Sequence, residues 1–163
     1  MRMALWPLEA KAAASLVLML LGLGYLTGVA NIAFSVGLSP KEIKARYSPA
    51  EKPKSVEELL SQAPAVDRKK LVHVIHAHFI PYTLIFAILC FFVIHFSWRV
   101  ELKIFFLGAA AISIPLDFLG MIGARFLDPG FYILIMASGF VFGTSVGLTI
   151  IFSFYELWFT NHR

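Results

Sequence analysis

The sequence predicts an all-α integral membrane protein, a four-helix transmembrane bundle with a long polar loop between the first and second helices. Three observations carry that prediction. The 163 residues are 59% hydrophobic and only 15% charged, and the mean hydropathy is +0.79. Soluble domains have roughly 45–50% apolar and about 25% charged residues. Four apolar stretches are each long enough to cross a bilayer, which takes about 20 helical residues. Finally, Trp6, Trp98 and Trp158 all fall on one side once the chain is threaded four times, as an interfacial aromatic belt requires.

Taken in order, residues 1–11 are a short mixed-charge lead, and the first span runs from about 12 to 38. It is longer than the roughly 7–15 apolar residues of a signal-peptide core and lacks a small-residue cleavage site, so a retained helix is expected. Gly24 and Gly28 give it a face for close helix contact, and Tyr25 and Asn31 are its polar members. Residues 39–70 are polar. Pro40 sits where a helix starts, and Ser55 with Glu58 has the spacing of a capping box. Two short surface helices are expected here, since about thirty residues bury no core of their own.

The second span, about 71–97, holds His73, His76, His78 and His95, and Pro81 inside it frees the carbonyl of Ala77. The third span covers about 102–124, with Pro115 and Asp117 inside it, and the AspProGly of 128–130 makes a tight turn. The fourth, about 131–159, repeats Gly139, Gly143 and Gly147 every four residues, a stripe expected to pack on Gly24/Gly28 or on a partner. The whole chain, 1–163, reads as a single membrane domain with no internal repeat.

Composition narrows function by exclusion. Cys90 is the single cysteine, so there is no intrachain disulfide, CxxC pair or covalent CxxCH haem attachment; it reads as a small buried hydrophobe. The net charge of +4 does not point to nucleic acid, because the basic residues lie between spans where topology signals sit. Eight of them fall in 39–70, and with Arg125 the loop side has nine Lys/Arg against five on the Trp side. That bias would make the 39–70 loop cytoplasmic. There is no phosphate-binding glycine loop, serine elbow or zinc-finger spacing.

The candidate site is a polar layer. At about 1.5 Å per residue, His76 and His78 lie roughly 9–12 Å below Lys70, and Asp117 about 12 Å inside Arg125. Asn31, Met136 and Ser138 fall at the same depth, one polar group or thioether from each helix. Polar side chains in hydrocarbon must find partners there. Four uses are open. The layer can be an interhelical hydrogen-bond network, in which Asp117 meets His76 or His78. It can hold haem b, with His76 or His78 as axial ligand, although His95 is about 25 Å further along the helix, so a bis-histidine haem needs a second chain and otherwise Met136 or Met121 would have to serve. It can bind a transition metal through His73 and His76, one turn apart on one face, with Asp117, and His76 and His78 are the metal candidates of the His-x-His pair. Or it can be a quinone or proton site at His78 and Asp117. His95, Arg99, Glu101, Lys103 and Glu156 read as a charge network at the Trp surface, and His162 as a solvated tail residue.

GlyTyrLeuThrGly in the first span, GlyLeuSerProLysGluIleLysAlaArgTyr after it and HisAlaHisPheIleProTyr in the second together resemble a group of small bacterial membrane proteins with a His-x-His transmembrane helix. The resemblance implies the bacterial inner membrane and a small subunit of a respiratory electron-transfer assembly. It carries His76 and His78 over as cofactor-linked residues. The partners it implies are the lipid bilayer and other membrane or redox subunits, or a homo-oligomer, meeting the glycine faces. The alternative reading is a cofactor-free accessory subunit that anchors and stabilises partners.

Overall fold

The computed structural model describes residues 3–37, 39–47 and 68–160. Among these residues, five α-helices follow a short 3-10 turn at Met3–Leu5: α1 (Leu8–Ser35), α2 (Pro40–Tyr47), α3 (Arg68–Ile94), α4 (Val100–Phe126) and α5 (Tyr132–Trp158). The described residues contain no strand. Four helices, α1, α3, α4 and α5, are long and apolar enough to cross a membrane, and the fold class expected from the sequence is the one observed. A helix closes most of its backbone hydrogen bonds within itself, which hydrocarbon demands. Both α3 and α4 run on through their internal prolines, Pro81 and Pro115. The Ser55–Glu58 capping box falls outside the described residues.

Local sequence explains the joints. α1 ends where Gly37 adopts φ +89°, a left-handed conformation, and its N–H bonds the Ile32 carbonyl at 3.0 Å. The Glu42 side chain occupies the space a Cβ on residue 37 would need. α2 then begins with a reciprocal capping box. The Ser39 N–H donates to Glu42 Oε2 (2.9 Å) and the Glu42 N–H to Ser39 Oγ (3.2 Å). Between α4 and α5 the Asp128 carboxylate accepts the Gly130 N–H at 2.6 Å, and Pro129–Phe131 forms a 3-10 turn.

The α4–α5 hairpin is the most extensive helix pair. Gly120 and Gly123 let it close: a Cβ at Gly120 would stand 2.9 Å from the Ile135 backbone nitrogen, and one at Gly123 would run into the Phe131 ring. The expected packing of the other glycines is corrected here. Gly143 meets the Tyr25 ring at 3.6 Å, but Gly24, Gly28, Gly139 and Gly147 meet nothing within 4 Å. Tyr25 is the reason. Its ring fills the approach at Gly143 and joins the Leu89, Phe142 and Val146 cluster. The α1 surface past Tyr25 is left exposed, including Leu26, Val29, Ile32 and Phe34.

The core at the Trp end joins Met3, Ala14, Leu18, Phe92, Val93, Phe96 and Leu157. Trp98 packs edge-on against Phe106 and Phe152, Trp6 against His95, and Trp158 donates to Ser15 Oγ at 3.0 Å. The three tryptophans share one end of the bundle. Glu156 does not join a charge network there. It is buried and accepts the Ser97 N–H and hydroxyl, because the tight α3–α4 connection leaves that N–H without a helical acceptor. Arg99 and Glu101 pair at 3.8 Å in full exposure, while Lys103 donates to the Ile94 carbonyl.

Candidate functional site

The site is built at the loop end, around Asp117. This carboxylate stands on the inner face of α4 and is buried. The Ser138 hydroxyl on α5 lies 3.2 Å from Asp117 Oδ1 and 2.6 Å from the Leu134 carbonyl one turn back, so its single proton is shared between them. From α3, the Tyr82 hydroxyl donates to Asp117 Oδ2 across a long 3.5 Å. Tyr82 is held in place by aromatic contacts with Phe142 (centroids 5.0 Å apart) and Phe118 (5.8 Å). The His78 ring meets Tyr82 edge-on at 6.0 Å, its Nδ1 lies 2.8 Å from the Val74 carbonyl, and the residue is exposed. Three helices thus contribute to one line of polar groups: His78, Tyr82, Asp117, Ser138.

α2 covers this end. Ile43 is buried, and Tyr47 packs on a small cluster of Leu71, Met121, Val74, Ile75 and Ile135. Burial pushes the Tyr47 phenol above its ordinary pKa, and the negative charge of Asp117 nearby adds to the shift. The α2 helix does more than lie on the membrane: its apolar edge caps the bundle.

The remaining candidates are placed apart from this line. His76 precedes His78 by two residues, a turn of about 200° on a helix, so the two rings face different neighbours. His76 lines an open groove of about 420 Å³ with Val72, Ile75, Phe79 and Ile80 of α3 and Ile122 of α4. Phe79, itself exposed, is tilted against the buried Phe118 at 6.0 Å. Asn31 is exposed and accepts the Ser35 hydroxyl within α1 at 3.0 Å. Met136 is half-buried, and the α5 side chain that reaches Asp117 is Ser138. His73 is exposed near the start of α3. Among the described residues no three His, Cys, Asp or Glu side chains group closely enough to hold a metal ion.

Sequence reasoning missed Tyr82 and Tyr47. The signal for Tyr82 was available. It lies four residues after His78, so both occupy one helix face. Tyr47 had no such signal, since nothing local places the end of α2 against the bundle.

One comparison bears on the fold. A family model for a transmembrane helical domain, Aq_1264_TM, matches residues 37–163, which is everything after α1. The chain belongs to that family. Among curated proteins and among solved structures, none matches the chain.

Proposed function

We propose that this member of the Aq_1264_TM family is a small membrane subunit of an electron-transfer assembly, in the bacterial inner membrane, that takes a quinone headgroup beside His76. The observation that carries the reading is the groove. It is apolar but for one imidazole, about 420 Å³ in volume, and formed by outward positions of α3 and α4. Ligand pockets run from roughly 300 to 1,000 Å³ and combine apolar walls with a few convergent polar groups. A quinone is a flat ring with two carbonyl acceptors on an apolar tail. It would reach such a groove sideways through lipid, lie against Phe79 and accept a hydrogen bond from His76. Reduction of the ring by two electrons takes up two protons, and the His78, Tyr82 and Asp117 line on the neighbouring face offers groups that relay them. Electrons would come from a partner subunit. Haem b would take His76 or His78 as an axial ligand, and the open, apolar groove at His76 favours the quinone.

A cofactor-free accessory role is the second reading. What favours it is the unpartnered outer face of α1, where Gly24 and Gly28 meet nothing and Leu26, Val29, Ile32 and Phe34 are exposed.

Titrating decylubiquinone into the purified chain in nanodiscs tests the proposal. Saturable binding is expected, weakened roughly tenfold by His76→Ala, the equivalent of about one hydrogen bond, and unchanged by His73→Ala. Partition that never saturates, or binding indifferent to His76, overturns it. A dithionite-reduced b-type absorption band would replace quinone by haem. A colourless protein that binds no quinone leaves the accessory role.

A further inference from the structure

The buried polar side chains of the described residues are Ser113, Asp117, Ser138, Ser145, Thr149, Ser153 and Glu156, none more than 6% exposed. They are not scattered. On α5, positions 138, 145, 149, 153 and 156 fall within about 80° of arc at 100° per residue, so they form one stripe. Ser113 and Asp117 lie one turn apart on the inner face of α4, the helix packed most extensively against α5. From the Ser138–Asp117 contact the stripe climbs about 27 Å to Glu156, nearly the roughly 30 Å of a hydrocarbon core. The longest step on α5, from Ser138 to Ser145, is about 10.5 Å, and Ser113 stands about 6 Å along it from Asp117. Every other step is about 4.5–6 Å.

We infer that this seam is a proton path, with Asp117 as the exchanging group at the loop end and Glu156 at the Trp end. Two hydrogen bonds through one water span about 5.6 Å, which matches the steps. Ser145 and Thr149 donate to carbonyls one turn back, Ser113 to Ala110, and each oxygen keeps lone pairs to accept a proton from a neighbour. Ser153 is the second observation. It is fully buried, and its hydroxyl has no hydrogen-bond partner among the described residues. Buried hydroxyls are normally bonded, and a water bridging Ser153 to Thr149 or to Glu156 would satisfy this one. At the loop end Asp117 meets Tyr82, with Tyr47 and the exposed His78 beside it. At the Trp end Glu156 meets Ser97 of the surface connection.

A proton taken up by one carboxylate is matched by one released from the other, so the path needs no redox partner and goes beyond the quinone reading. The test is proton flux in proteoliposomes without quinone, driven by a potassium gradient with valinomycin, which balances the charge, and read by an internal pH dye. The expected result is flux above protein-free vesicles, lost to that baseline in Asp117→Asn and in Glu156→Gln and reduced in Ser153→Ala. Glu156→Gln keeps an acceptor for Ser97, so it serves if Asp117→Asn does not assemble. Wild-type flux at the protein-free level overturns the inference. So does flux that survives both carboxylate substitutions, with the hydroxyl stripe then serving helix packing alone.

Discussion

The carboxylate of Glu156 accepts both the backbone N–H of Ser97, at 2.6 Å, and its hydroxyl, at 3.2 Å. The bond joins the end of α5 to the connection between α3 and α4, 59 residues away in the chain. Removing a buried acceptor leaves the partner N–H unsatisfied. Glu156→Ala is therefore expected to lower unfolding free energy by about 1.5–3 kcal/mol, and Glu156→Gln by less because its carbonyl still accepts. Denaturation by SDS in mixed micelles measures both. Equal stability of Glu156→Ala and the parent would show that the clamp contributes nothing.

The glycines separate into two groups with opposite expectations. An added methyl at Gly120 meets the Ile135 backbone and one at Gly123 meets the Phe131 ring. Overpacking of this kind costs about 1–3 kcal/mol, so Gly120→Ala and Gly123→Ala are expected to loosen the α4–α5 hairpin. At Gly24, Gly28, Gly139 and Gly147 a Cβ meets open space, and alanine there is expected to change monomer stability by no more than about 0.5 kcal/mol. The same micellar unfolding series checks the contrast. Equal losses at Gly24 and Gly120 would contradict it.

That contrast also marks how far the sequence could be read. Helix number and the tryptophan end followed from composition and length, because a bilayer admits few other arrangements. Helix–helix contact did not follow from the GxxxG strings. Spacing says only which residues share a face, and the crossing is decided by which bulky side chain, here Tyr25 or Phe131, stands opposite. The candidate site divides the same way. Asp117 was legible as an ionisable group inside a span. Its partner on α5 was Ser138 rather than Met136 because two positions on a helix rotate a side chain by about 200°, while depth alone cannot tell them apart. Glu156 looked like surface charge beside Arg99 and Glu101. Its burial depends on the α3–α4 connection returning to α5, a contact between distant stretches of chain.

At Asp117 the two hydroxyl contacts differ in length, and their substitutions are expected to differ accordingly. Ser138→Ala removes the 3.2 Å contact, and interhelical polar contacts in membranes average about 0.6 kcal/mol with a maximum near 1.7. A loss in that range is expected. Tyr82→Phe keeps the ring contacts with Phe118 and Phe142 and removes only the 3.5 Å bond, so its cost is expected to be smaller. A double-mutant cycle of each with Asp117→Asn isolates the pairwise energy. Stronger coupling through Tyr82 than through Ser138 would reverse the assignment of the main partner.

Docking of α2 is expected to depend on pH through Tyr47. The phenol is packed against Leu71 and Met121, and burial, with the Asp117 charge adding, raises its pKa in the docked state. A raised folded-state pKa means the docked form holds the proton more tightly than the free form. Its stabilisation is complete below the free phenol's pKa of about 10 and is lost as pH rises through the higher docked value. Ultraviolet difference titration of the parent against Tyr47→Phe reports that one phenolate, which should ionise later than exposed tyrosines. Spin labels at Lys41 on α2 and Lys70 on α3, both exposed, should keep a narrow distance distribution until the same pH and broaden above it. In Tyr47→Phe that broadening should disappear, because no group is left to charge under the cap. A Tyr47 that ionises with the exposed phenols would mean that α2 is not held against the bundle.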